Sequence, residues 1–167
     1  MHNQARCYVS RWKTDDQVKV IEIGSRDING SVRDLFPAAE YVGLDLADGP
    51  SVDVVCHAID FSPAWPADIV ICCEVLEHTP DWCALVAVGA SWLCPGGRLI
   101  ITAAGAGREP HSAVDGCELR EGEYYANIRL RDLILVMEGS GVSVCCDEFS
   151  AEHCDVRASG TRVRGRE

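Results

Sequence analysis

Lysine is almost absent from this chain: Lys13 and Lys19 are the only two, and none follows residue 20. That absence excludes the Tyr-x-x-x-Lys pair on which one large group of nicotinamide-dependent reductases relies. No Cys-x-x-Cys occurs among the ten cysteines, so the closely spaced ligand pairs of a structural zinc site are missing. The two adjacent pairs, Cys72-Cys73 and Cys145-Cys146, lie in apolar runs, and neighbours on a strand face opposite ways and chelate poorly. Most cysteines are therefore expected to be buried free thiols that pack as small hydrophobes, with no bound metal and no secreted disulfide framework. No apolar run approaches the roughly 18 residues of a membrane span, and the first residues, MHNQARCYVSRWKTDD, lack the apolar centre of a signal peptide. A cytoplasmic protein with no membrane partner is the expectation. Positive charge is also scarce: the net charge of −11 repels a phosphate backbone at long range and argues against nucleic acid as a general partner.

What is present is ordinary globular material. The 167 residues are 47% apolar and 25% charged, enough to bury one core without staples and too few to suggest two domains. The expected organisation is a single domain over residues 1–155. After it comes a small, polar, arginine-rich segment, 156–167, which reads as a flexible basic tail.

Short apolar runs recur at intervals too long for hairpins. They predict strands at Val18–Ile23, Glu40–Asp45, Val52–Cys56, Asp68–Cys73, Arg98–Ala103 and Val142–Phe149. Between them lies helical patterning. Trp82, Leu85, Val86, Trp92 and Leu93 share one helical face within Asp81–Leu93, bounded by Thr79-Pro80 and Pro95-Gly96-Gly97. A second helix is predicted over Ile128–Glu138, and another should start near Gly30. Strands alternating with helices imply parallel pairing through right-handed crossovers, an α/β sheet with helices on both faces. Ligands of such sheets sit beyond the carboxyl ends of the strands, where strand order reverses.

The segments after the strands carry the chemistry. Gly24 and Gly30 bracket the first loop, VIEIGSRDINGS, where glycine lets the backbone approach a ligand closely. A G-x-G-x-x-G dinucleotide fingerprint is broken by Arg26 and Asn29, and a plain strand-to-helix turn explains the loop equally well by itself. Asp45 ends the second strand, 21 positions after Gly24. A carboxylate there can accept hydrogen bonds from both hydroxyls of a ribose, or simply face solvent at the start of a turn. His57-Ala58-Ile59-Asp60 follows the third strand, and Glu74-Val75-Leu76-Glu77-His78 the fourth.

Together EIGSRDINGS, YVGLDL, the turn at His57–Asp60, ADIVICCEVLEHTPD and LCPGGRLIIT resemble, in order, the motifs of the small class I S-adenosylmethionine-dependent methyltransferases of the type 11 kind. The resemblance covers about Val18–Ala103, and EVLEH before a helix followed by PGG before a strand is its most specific part. It implies a Rossmann-like, doubly wound, mostly parallel sheet in one three-layer domain, with S-adenosylmethionine as cofactor. By the same resemblance Glu22 and the loop Gly24, Ser25, Arg26, Asn29 and Gly30 would contact the methionine part of the donor. Asp45, with Leu46, would hold the ribose, and Glu74 would border the same cavity. Relatives place an aspartate followed by alanine at the adenine amine; here that slot reads His57-Ala58, so either His57 or Asp60 takes the contact.

The acceptor side is less determined. His78 and His111 are the candidate bases, since each side chain titrates near neutral pH, although packing accounts for His78 and an exposed loop for His111. Tyr124 and Tyr125 stand where related enzymes carry an aromatic pair near the acceptor, and one of them can equally be core. The expected activity is in-line methyl transfer to a small or carrier-bound organic acceptor, with a homodimer as a possible assembly. The alternative is a donor-binding or degenerate protein of the same fold that scaffolds a partner.

Overall fold

The computed structural model describes residues 3–163. A short helix α1 (Asn3–Val9) leads into β1 (Lys19–Ile23), followed by β2 (Glu40–Asp45), β3 (Val54–Val55), β4 (Ala67–Cys73), α2 (Trp82–Trp92), β5 (Leu93–Ala104), α3 (Leu130–Gly139), β6 (Val142–Ser150) and β7 (Asp155–Arg162). The strands form one sheet in the order β3-β2-β1-β4-β5-β7-β6. β1 to β5 pair in parallel, and β7 runs antiparallel between β5 and β6. Strand order reverses between β1 and β4, so the crevice expected at a switch point opens beside the end of β1.

Alternation along the central strands divides the interior into two layers. Ile21, Ile23, Val70, Cys72, Leu99 and Ile101 face α2 and α3. Val20, Ile69, Ile71, Cys73 and Ile100 face Tyr8 and Val9 of α1, together with Val32 and Phe36. Cys72 and Cys73 thus belong to opposite layers, as period-two geometry requires. All ten cysteines are free, but only Cys72 and Cys73 are buried; Cys7, Cys83, Cys117 and Cys145 are exposed. The expectation that most would be buried fails because Cys7 and Cys83 lie on exposed positions of α1 and α2, Cys117 lies in a loop and Cys145 takes an exposed position of β6.

Three further expectations are corrected. No α-helix starts near Gly30. Only one 3-10 turn, Arg33–Leu35, fits between Gly30 and Pro37, and its buried neighbours Val32 and Phe36 cover the sheet in the helix's place. The strand predicted at Val52–Cys56 shrinks to Val54–Val55. The strand predicted from Arg98 starts at Leu93 instead, with Pro95-Gly96-Gly97 absorbed in a register shift opposite Ala67 and Ile69.

The largest difference is β7, where the basic tail was expected. Asp155 to Gly160 are all buried, and the strand hydrogen-bonds to both neighbours. Its sequence, DVRASGTR, conceals this because Asp155, Arg157, Arg162 and Gly160 break up the apolar run that marks a buried strand. A Cβ on Gly160 would lie 2.5 Å from the Ser143 carbonyl oxygen. The charges are matched internally: Arg157 bridges Glu148 at 2.7 Å and Asp155 at 3.1 Å, and Arg108 reaches Asp155 at 2.9 Å. Arg162 donates to the carbonyls of Ala90 and Leu93 at 3.1 and 2.9 Å, closing the carboxyl end of α2. The rest of the predicted tail, residues 164–167, lies outside the described residues.

Candidate active site

The loop after β1 is shaped by its own backbone. Gly24 has φ +74°, and a Cβ there would collide with the Val75 side chain; the left-handed conformation and the close approach both require glycine. The N–H groups of Gly24 and Ser25 donate to the Leu44 carbonyl at 2.8 and 2.9 Å, and that of Asp27 to Pro50 at 2.9 Å, folding the loop back over the end of β2. Asp27 accepts from the Gly30 N–H at 2.7 Å. Asp45 accepts from the N–H groups of Arg26 at 3.2 Å and Ala47 at 3.0 Å. The aspartate is thereby held between the two loops that flank the crevice.

These segments enclose a cavity of about 240 Å³ beyond β1, β2 and β4. Glu22, Gly24, Ser25, Arg26, Gly30, Asp45, Leu46, His57, Ala58 and Glu74 all line it, residues spread over more than fifty positions of sequence. Asn29 does not; it lines an adjoining crevice of about 440 Å³ with Arg108, His111 and Cys117. The two spaces meet at Ile28, Glu74, His78 and Ala113. Asp60 borders neither and is exposed, its N–H closing a turn onto His57.

Glu22 is 2% exposed and accepts a hydrogen bond from the Tyr41 hydroxyl at 2.8 Å. Burial pushes its carboxyl up to about 7, against the pull of that hydroxyl and of Arg33. An apolar setting disfavours the charge unless a cation arrives to match it. Ser25 is also buried, and its hydroxyl has no partner. Glu74 adopts the left-handed region at φ +57°, a strained conformation for a residue with a side chain. It is held by Thr102, whose hydroxyl donates to its carboxylate at 2.7 Å and whose carbonyl accepts its N–H at 2.9 Å.

His57 behaves differently from the sequence-based expectation. Its Nδ1 accepts from the Ile59 N–H at 3.2 Å, which fixes Nδ1 as the unprotonated nitrogen of the neutral ring and leaves Nε2 carrying the proton. The ring therefore offers a donor to the cavity. Its Nδ1 is already engaged, and Asp60 borders neither crevice.

At the adjoining crevice the two candidate histidines meet. His78 ends a 3-10 turn after β4, Leu76–His78, and His111 lies in the loop after β5, yet their ring centroids are 5.0 Å apart. Tyr125 packs on both, at 5.5 and 5.0 Å, drawn in because the Ala126 N–H donates to the Glu77 carbonyl at 2.8 Å. Its hydroxyl is buried and unpartnered. Tyr124 is 41% exposed, and neither tyrosine lines either crevice. Burial, and after it His111, pushes His78 down to about 4, so this ring is neutral at physiological pH.

Sequence reasoning passed over Glu77. It is fully buried, and neither carboxylate oxygen has a hydrogen-bond partner. The N–H groups of Glu77 and Ala104 lie close enough to favour its charge, without reaching hydrogen-bond geometry, and burial together with Glu74 raises its pKa. The only signal was its place in EVLEH, directly beside His78.

This sheet order, with the antiparallel β7 inserted beside β5 and a crevice at the ends of β1, β2 and β4, is the fold of the class I S-adenosylmethionine-dependent methyltransferases. The chain matches Burkholderia thailandensis 1,6-didemethyltoxoflavin-N1-methyltransferase, crystallised with 1,6-didemethyltoxoflavin and S-adenosylhomocysteine, at a TM-score of 0.72 and 12% identity, covering 97% of this chain and 78% of that one. It matches the magnesium protoporphyrin IX methyltransferase of Synechocystis PCC 6803, crystallised with S-adenosylmethionine, at a TM-score of 0.67 and 19% identity, over 95% and 78% of the two chains. In sequence, 75 residues are 40% identical to the ubiquinone biosynthesis O-methyltransferase of Xylella fastidiosa strain M23, covering 42% of this chain. The matched stretch spans 29% of that relative's length. No family model matches the chain. Among the described residues no helix is long and apolar enough to cross a membrane.

Proposed function

We propose that this chain is an S-adenosylmethionine-dependent methyltransferase that holds the donor in the cavity beyond β1, β2 and β4 and a small or carrier-bound organic acceptor in the adjoining crevice. The observation that carries this reading is the arrangement around the cavity: a buried Glu22 awaiting a cation, an unpartnered Ser25 hydroxyl and an anchored Asp45 on one continuous wall. These groups fit the donor's ammonium, carboxylate and ribose ends in that order. When bound, the donor supplies a methyl group on a sulfonium, an electrophile that needs orientation more than acid or base assistance.

The chain's own residues supply that orientation. Glu22 charges as the ammonium approaches, because a neighbouring cation lowers the pKa that burial has raised. The Ser25 hydroxyl and the Gly24–Gly30 backbone receive the amino-acid end, and Asp45 accepts from the ribose hydroxyls. His57 donates from Nε2 to an acceptor on the adenine ring, and Ala58 packs beside it. Arg26 narrows the cavity where other members carry glycine. Glu74 and His78, at the junction of the two spaces, border the path of the methyl group, and His111, backed by the Tyr125 ring, forms part of the acceptor wall.

Titration calorimetry of the purified protein with S-adenosylmethionine, S-adenosylhomocysteine and NAD tests the donor assignment. Binding of the first two and not of NAD is expected. Binding of neither methionine derivative refutes the assignment and leaves a degenerate scaffold of this fold as the reading. An acceptor screen with methyl-labelled donor then defines the reaction, and His111→Ala is expected to lower turnover while leaving donor affinity unchanged.

A further inference from the structure

We propose that Glu77, His78 and His111 form a binding site for one divalent first-row transition-metal ion. Each offers one ligand atom, and the three atoms lie within 4.8 Å of one another. The turn after β4 contributes Glu77 and His78, and the loop after β5 contributes His111. This is a metal site without cysteine, so the absence of Cys-x-x-Cys from the sequence does not bear on it.

Two independent observations point to an ion. Glu77 is fully buried with both oxygens unpartnered, and His78 Nδ1 is also buried without a partner. Buried polar groups are nearly always satisfied, and two orphaned residues side by side in the chain call for a ligand. The tautomer of His111 also suits the role. Its Nδ1 lies 3.1 Å from the Glu109 carbonyl, which can only accept, so in the neutral ring Nδ1 carries the proton and Nε2 is the nitrogen that can ligate. Metal-bound histidines are commonly oriented by this kind of second bond. Glu74 is engaged by the Thr102 hydroxyl and is left out of the ligand set.

An ion bound at about 2.1 Å from each ligand draws the three atoms to roughly 3–3.5 Å apart. The contraction is on the order of an ångström and falls on His111, whose loop can shift more easily than the turn carrying Glu77. Two imidazoles and one carboxylate suit manganese, iron, cobalt or zinc better than magnesium, which prefers oxygen and keeps its waters. The remaining coordination positions open on the crevice that His78 and His111 line. The site goes beyond the methyl-transfer reading and does not depend on it.

Manganese(II) is the probe of choice, because ten free thiols compete for zinc and much less for manganese. Equilibrium dialysis of the reduced, metal-stripped protein with MnCl2, read by electron paramagnetic resonance, is expected to show one ion per chain with nitrogen couplings from imidazole in the pulsed spectrum. Glu77→Gln and His111→Ala should each weaken binding at least tenfold, and Cys117→Ser should leave it unchanged. If Glu77→Gln fails to fold, His111→Ala decides, since that residue sits in a loop. Absence of a bound ion, a spectrum without nitrogen coupling, or full binding by His111→Ala overturns the proposal. Donor calorimetry on the same metal-free protein is a separate readout, so the failure of one reading is distinguishable from failure of the other.

Discussion

Replacing Glu22 with glutamine separates the energetic cost of the site from its use. Glu22 is a carboxyl buried at 2% exposure, raised by that burial from 4.5 to about 7. Because the folded state holds this proton more tightly than the unfolded chain, the stabilising contribution is complete below pH 4.5 and is lost as pH rises through 7. At about 1.36 kcal/mol per pKa unit, the loss is roughly 3 kcal/mol by pH 8.5. No solvent screening reduces it, since the group is buried. Glutamine stays neutral and keeps an oxygen for the Tyr41 hydroxyl, so Glu22→Gln should match the parent near pH 4.5 and exceed its stability by roughly 3 kcal/mol at pH 8.5. Urea unfolding under reducing conditions, followed by fluorescence of the four tryptophans, gives both profiles. Their difference isolates Glu22, because every other titrating group is common to both. A difference that stays constant from pH 4.5 to 8.5 refutes the reasoning. Donor affinity should move the opposite way, the more stable variant binding S-adenosylmethionine more weakly at pH 8.

Asp45→Ala should weaken donor binding by about 1–3 kcal/mol through two lost ribose hydrogen bonds; unchanged affinity by calorimetry in a folded variant removes Asp45 from the site. Gly24→Ala forces a side chain into a left-handed residue against Val75 and should cost about 1–3 kcal/mol, seen as a lower urea midpoint at unchanged slope. Arg157→Met removes the shared partner of Asp155 and Glu148, and because Arg108 and Arg11 still pair with them it should destabilise by about 1–3 kcal/mol. A wild-type thermal midpoint in that variant would show that β7 does not depend on its ion pairs.

Local signals in the sequence determined the parallel half of the sheet and the frame of the cavity beyond β1, β2 and β4. β1, β2 and β4 are short apolar runs stopped by Gly24, Asp45 and Glu74, and each stop residue lands on the same cavity because parallel strands bring their carboxyl ends to one edge. That inference needs only the order of the elements. β7 was hidden because its evidence is not local: DVRASGTR becomes a strand only when β5 and β6 flank it and Glu148 and Arg108 neutralise its charges. The orientation of the His57 ring was decided by one backbone N–H two residues on, a bond that depends on the turn's geometry. The meeting of Glu77, His78 and His111 was decided by packing alone. His111 is 33 positions beyond His78 in sequence, and only the return of the chain along β5, with Ala126 tied to Glu77, closes the loop onto the turn. Periodicity reports which face of an element is buried, whereas which buried groups confront one another is a property of the assembled layers.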